Sequence, residues 1–204
     1  MTTAHDTCHG AFHRYRAMRD FIQSADDTLP GKLEITKEGI VHDLLMPNGP
    51  HELTAARLRK HLEKVMPQEL VAHTGMPDVE NEPEGVMRRP DIMVIAEEDM
   101  DVDGSFDART LIAFIEVVSR SNPRNDWVGK MRDYPLLGIL VYAIFDPRTG
   151  TGAVLTDIRP TPDGPRYGTR KDFVYGEDVT IAQWTIPTSD LPRYQDADAE
   201  EVET

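Results

Sequence analysis

Cysteine is almost absent: Cys8 is the single one in 204 residues. That excludes an intramolecular disulfide framework and fits a reducing cytoplasm. No apolar run approaches the roughly 20 residues that cross a bilayer. The first thirty residues carry His, Arg and Asp throughout, with no continuous apolar stretch of the secretory-signal kind. Basic residues are scarce as well, 22 Lys and Arg against 36 Asp and Glu, for a net charge of −14. Aromatics are few and do not interleave with basic residues as a base-stacking platform would, so Trp127, Phe145 and Trp184 read as core or edge packing.

What is present is an ordinary globular composition, 39% hydrophobic and 28% charged, which argues against wholesale disorder. The length suits one domain with peripheral segments, and we divide it into an N-terminal helical extension (1–27), a core domain (28–192) and an acidic, disordered tail (193–204). The acidity is concentrated. EEDMDVDGSFD (97–107) holds six acids and QDADAEEVET (195–204) holds five, with no Lys or Arg in either, so the remainder carries −14 + 11 = −3. Such runs are usually solvated loops or tails. The deficit of positive charge therefore does not exclude a phosphate-bearing partner, although such partners draw affinity from clustered Lys and Arg.

Helical periodicity over 5–24 places Phe12, Tyr15, Met18 or Arg19, and Ile22 on one face. KLEITKEGIVHDLLM predicts two short strands about a Glu38-Gly39 turn. Next comes a helix capped by Asn48, with Pro50 in its first turn and Leu58, Leu62 and Val65 as its stripe, ended by Pro67. Arg57, Arg59, Lys60 and Lys64 give it a modest basic face. RRPDIMVIA, LIAFIEVVS and GILVYAIFDP read as strands, and NDWVGKMRDYPLLG between the last two reads as a helix with Asp126 as N-cap and Gly138 as C-cap. Strand, helix, strand is a parallel crossover unit. GTGAVLTDI, RYGTRKDFVY and VTIAQWTI are further strands.

Within LIAFIEVVS, an otherwise buried run, sits Glu116, and an unpartnered buried charge is costly. Asp91 opens the preceding strand 25 residues earlier. On neighbouring strands the two carboxylates converge and could hold Mg²⁺, which takes one or two carboxylates plus water and substrate phosphate. Such a metal polarises phosphodiesters in nucleases. Lys130 is the candidate cation for transition-state charge. Asp126, Lys130 and Tyr134 recur every four residues on one helical face, a pattern that an ordinary i, i+4 ion pair also explains.

RRPDIMVI, FIEVVSRS, Asp126-x3-Lys130-x3-Tyr134 and VYAIFDP, with KLEITKEGIVHDLLMPNGPHELTAARL upstream, resemble the Uma-type putative restriction endonuclease family, a branch of the PD-(D/E)XK nuclease superfamily. The resemblance spans roughly residues 30 to 192. It implies an α/β (α+β) fold, a restriction-endonuclease-like mixed β-sheet flanked by helices. It also implies Asp91 and Glu116 as metal ligands and a divalent ion, Mg²⁺ or Mn²⁺, as cofactor. The superfamily's commonest lysine position falls on Val118; in this family the lysine comes from the following helix, which matches Lys130. Ala143, where the family often has tryptophan, and Pro135 inside the helix depart from its pattern.

Glu34 could complete the metal's surroundings, though a solvated strand charge is the simpler reading. His51 matches the family's helix-leading histidine and could meet phosphate or metal, or simply face water. His5, His9 and His13 share a helical face but lack an HExxH pattern. Ser119 has no matched His to activate it. The expectation is a Mg²⁺-dependent endonuclease acting on DNA, with Asp91, Glu116 and Lys130 catalytic and a homodimer suited to cutting two strands. The alternative is an inactive nuclease-fold binding module.

Overall fold

A computed structural model describes residues 4–26, 28–44 and 49–195, with side chains from residue 12 onward. Asn48, His5, His9, Cys8 and residues 196–204 therefore fall outside the described backbone or side chains, and so do the helix cap, the three-histidine face and most of the acidic tail expected there. The chain begins with helix α1 (Ala4–Ala25), then hairpin β1 (Lys32–Ile35) and β2 (Ile40–Asp43), and helix α2 (Gly49–Val65). Short strands β3 (Leu70–His73), β4 (Val79–Asn81) and β5 (Val86–Arg88) precede β6 (Ile92–Ala96), β7 (Phe106–Asp107) and β8 (Leu111–Val117). After helix α3 (Met131–Leu137) come β9 (Tyr142–Asp146), β10 (Thr151–Arg159), β11 (Arg166–Val174), β12 (Asp178–Ile181) and β13 (Trp184–Pro187).

The strands form two mixed sheets and a hairpin. A six-stranded sheet runs β11-β10-β9-β8-β6-β3, and a five-stranded one runs β2-β1-β5-β4-β7. In the larger sheet β8 and β9 pair in parallel, Phe114 opposite Tyr142 and Val117 opposite Phe145. The crossover between them carries α3, as the strand-helix-strand pattern predicts. Side chains alternate along β8. Ala113, Ile115 and Val117 join Ala55, Leu58 and Leu62 of α2 on one face. Phe114 and Val118 join Tyr134 and Leu137 of α3 on the other. Glu116 shares that second face.

Two strand expectations are corrected. RRPDIMVIA is not one strand: Arg88 ends β5 in the smaller sheet and Ile92 begins β6 in the larger. Pro90 stands at the junction, where it can donate no ladder hydrogen bond and restricts Arg89. VTIAQWTI is likewise a hairpin, β12 and β13, turning through Ala182 at φ 54°. No Gly or Asn marks that turn, so the sequence carries no signal for it. Segment 97–107 is mostly exposed, as its charge suggests. A third cluster packs Tyr15, Ile22 and Ala25 of α1 on Leu33, Ile35 and Met87.

Candidate functional site

β6 and β8 pair antiparallel with Ile92 opposite Ile115, so Asp91 and Glu116 stand one register step beyond, facing each other. The Asp91 backbone N–H donates to Glu116 Oε2 at 3.3 Å, and Val117 N–H donates to Asp91 Oδ2 at 2.9 Å. The two carboxylates thus converge on one face, as the spacing predicts. Lys130 joins them, its Nζ 2.9 Å from Glu116 Oε2 and 2.9 Å from Asp126 Oδ1. Tyr134 donates its hydroxyl to Glu116 Oε1 and stacks edge-on against Phe114 and Tyr142. The buried strand charge therefore has three donors around it.

Asp126 does not cap the helix. The helical path is entered before it, and Asn125–Lys130 form a wide π-helical turn ahead of α3. Such turns alter the helical phase and recur at functional sites. Here the turn and the first turns of α3 bury Asn125, Asp126, Lys130, Asp133 and Tyr134 together. Gly138 ends the helix in the left-handed conformation at φ 84°, as expected. Pro135 lies inside α3, three residues before that end.

Two side chains close the site from outside the crossover. Lys32 at the start of β1 is buried, with its ammonium on Asp91 Oδ1 and 3.3 Å from the Arg89 carbonyl. His51, in the first turn of α2, lies with Nε2 3.3 Å from Asp91 Oδ2 and Nδ1 3.2 Å from Glu52. It is turned inward, not toward water. Glu34 is also buried: it accepts from Arg88 at 2.6 Å, the Arg89 N–H at 2.8 Å and Asn125 at 3.3 Å. The reading of Glu34 as a solvated charge is corrected, because β1 is covered on both faces. Arg88 also donates to Asp133 at 2.6 Å, tying β1, β5 and α3 into one polar cluster.

The electrostatics follow from burial. Burial opposes the ionised form of Asp91, yet Lys32 and His51 hold its carboxyl well below the usual carboxylate range. Burial pushes Glu116 up to about 8, assisted by Asp91 and opposed by Lys130. Burial also raises Asp126. Lys130 stays charged far above its usual range because Asp126 and Glu116 outweigh its desolvation. Desolvation of His51 is overcome by Asp91, which lifts it to about 9. The enclosed acids Glu34, Asp91, Glu116, Asp126 and Asp133 number five, and they face Lys32, Arg88, Lys130, protonated His51 and, from the rim, Arg132 at 2.8 Å from Asp133 Oδ1. With Arg132 counted, acids and cations balance, and the proton that Glu116 tends to keep follows from its burial beside Asp91.

Among the described residues no group of three or more His, Cys, Asp and Glu is placed to hold an ion. Two converging carboxylates, once freed of Lys32 and Lys130, could nevertheless take Mg²⁺, which keeps much of its water. Asp91 and Glu116 are the donors that fit. Ser119 Oγ lies 3.4 Å from Ser121 Oγ and accepts from the Asn122 N–H at 3.2 Å. Trp127 is half-buried and donates to Asp146 at 3.0 Å, while Phe145 and Trp184 are core residues. Sequence reasoning missed Lys32, Arg88, Asn125 and Asp133. Lys32 had a usable signal, since it alternates with Glu34 on one strand face.

The profile of the Uma2 family, described as "Putative restriction endonuclease", matches residues 18–186. The chain belongs to this family. The crystal structure of a protein from Anabaena variabilis, titled a "putative nuclease belonging to DUF820", is similar to it with a TM-score of 0.62 at 18% identity, over 85% of this chain and 96% of that one. At that identity the likeness shows the fold, mixed sheets flanked by helices. No curated protein matches the chain. No helix among the described residues is long and apolar enough to cross a membrane.

Proposed function

We propose that this member of the family is a Mg²⁺-dependent endonuclease of the PD-(D/E)XK type that hydrolyses phosphodiester bonds in DNA. The observation that carries the reading is the meeting of Asp91, Glu116 and Lys130 in one buried cluster. Asp91 and Glu116 would hold the ion, and when bound it would polarise the phosphodiester and orient water. Lys130, kept charged by Asp126, is the cation available to the phosphoryl oxygens as negative charge develops. Tyr134 fixes one Glu116 oxygen and leaves the other toward Asp91. Family membership supports the nuclease reading.

One observation favours a second reading, a binding module that keeps the fold without cleaving. Lys32 and Lys130 already occupy oxygens of Asp91 and Glu116. Glu116→Gln separates the two. As a nuclease ligand, its loss abolishes Mg²⁺-dependent cleavage and the rise in melting temperature that Mg²⁺ or Mn²⁺ gives the parent. The EDTA melt changes little, because Lys130 retains Asp126. If the parent shows neither cleavage nor calorimetric heat with Mn²⁺, or if the variant is much less stable in EDTA yet keeps the parent's Mg²⁺ response, the catalytic assignment fails.

A further inference from the structure

Beside Asp91 the surface opens into a cleft of about 590 Å³. Asp91 and Lys32 lie at its floor, and Arg59 and Lys60 project from the exposed face of α2 along one wall. Arg59 pairs with Glu63 at 2.7 Å, whereas Lys60 makes no ion pair among the described residues. Glu52 and Glu63 of α2 also line it, and Thr74, Gly75 and Met76, the turn leaving β3, form the facing wall. Gly75 lies tight against β3, since a Cβ there would fall 2.7 Å from His73 Nε2. Met76 has φ 51°, in the left-handed region, and is 48% exposed. An L-residue seldom adopts that conformation, and it persists where the surroundings impose it. Here it presents a flexible apolar side chain at a polar cleft.

The catalytic groups lie deep: the Glu116 side chain is fully buried, and those of Lys130 and Asp91 nearly so. A phosphodiester must be brought down to them. A duplex interface buries on the order of 1,000 Å² or more of protein surface, more than the residues lining this cleft present. The cleft instead falls within the roughly 300–1,000 Å³ that encloses one small ligand, the scale of a nucleotide or two. Lys60 suits one phosphate and Arg59, drawn from Glu63, the next, while the thioether of Met76 suits the face of a base.

We infer that this cleft is a binding subsite for a single unpaired DNA strand, with phosphates on Arg59 and Lys60 and a base against Met76. It feeds the next phosphodiester to Asp91 and Glu116. The inference rests on the nuclease reading for what happens to that phosphodiester, and it makes the two-fold partner expected for duplex cutting unnecessary.

Binding is tested apart from cleavage, by fluorescence anisotropy in EDTA with a labelled DNA strand and with the corresponding duplex, across a salt series. The strand binds about tenfold or more tightly than the duplex. The double variant Arg59→Ala, Lys60→Ala weakens strand binding about tenfold and reduces the salt slope by about 1.4, about 0.7 for each phosphate no longer neutralised. Met76→Gly weakens strand binding severalfold without lowering the melting temperature, since glycine accepts φ 51°. Duplex binding equal to the strand's, a double variant that binds like the parent, or a parent that binds neither DNA overturns the inference. A parent that binds with this pattern but cuts nothing in Mg²⁺ sinks the nuclease reading and leaves the subsite standing.

Discussion

At the scale of single residues the site depends on buried carboxylates with different fates. Burial alone would raise Glu34, but Arg88, Lys130 and the Arg89 N–H lower it to about 2, from an ordinary 4.5. Between those values the folded state binds fewer protons than the unfolded one. The pair's contribution is therefore complete above about pH 4.5 and disappears as pH falls toward 2. Glu34→Gln is expected to cost on the order of 3 kcal/mol near neutrality, the low end for breaking a buried pair, because Asp133 still holds Arg88. Urea unfolding of parent and variant checks this: the difference should be full at about pH 6–7, about half gone by about pH 3 and largely gone by about pH 2. A pH-independent difference would mean that Glu34 acts through packing alone. Glu34 was visible in the sequence as an acid on a strand, but its burial was not, because Arg88 and Asn125 come from elements 54 and 91 residues away.

At the scale of elements the crossover unit was legible and its local geometry was not. The apolar runs of β8 and β9 and the Gly138 stop set the order of elements, and i, i+4 spacing placed Lys130 beside Asp126. Nothing in NDWVGK signals a π-helical turn, since a wide turn differs from an α-helix in hydrogen-bond register and not in residue type. Gly129 within that turn is the exception in retrospect. A Cβ there would stand 3.0 Å from Asn125 Oδ1 and 3.3 Å from an Arg88 nitrogen. Gly129→Ala gains up to about 1 kcal/mol of helix propensity and loses about 1–3 kcal/mol by crowding a packed polar cluster. The expected net result is a lower melting temperature with weaker Mn²⁺ binding, read by calorimetry. Unchanged values for both would show that the turn has slack.

Helix α1 raises a similar question of scale, because a boundary at residue 27 separates chain segments that share a core. Tyr15, Ile22 and Ala25 cover Leu33, Ile35 and Met87, and Asp26 is bound by Arg89 at 2.6 Å. Burial of the two larger side chains contributes roughly 3–6 kcal/mol. For a domain of this size that is a drop on the order of 10–20 °C on removing residues 1–27. Thermal melts of the full chain and the truncated chain decide the matter. A truncated protein that melts where the parent does would establish α1 as a dispensable extension.

At the scale of the whole molecule, net charge opposes the proposed substrate while the site attracts it. Eleven of the excess acids lie in 97–107 and 195–204. Five of them fall after Gln195 and can be removed while keeping Tyr194, whose hydroxyl donates to the Val118 carbonyl at 2.8 Å next to the site. Ending the chain at Gln195 therefore changes the net charge from −14 to −9 and leaves that hydrogen bond in place. The cooperative melt should be unchanged. Strand affinity should rise severalfold at low salt, because fewer acids repel the incoming phosphates, and the gain should vanish above about 0.3 M salt as the screening length shortens from about 10 Å at 0.1 M. A gain that persists at high salt would mean the acidic segment blocks the cleft by contact. A loss of affinity would mean that it takes part in binding.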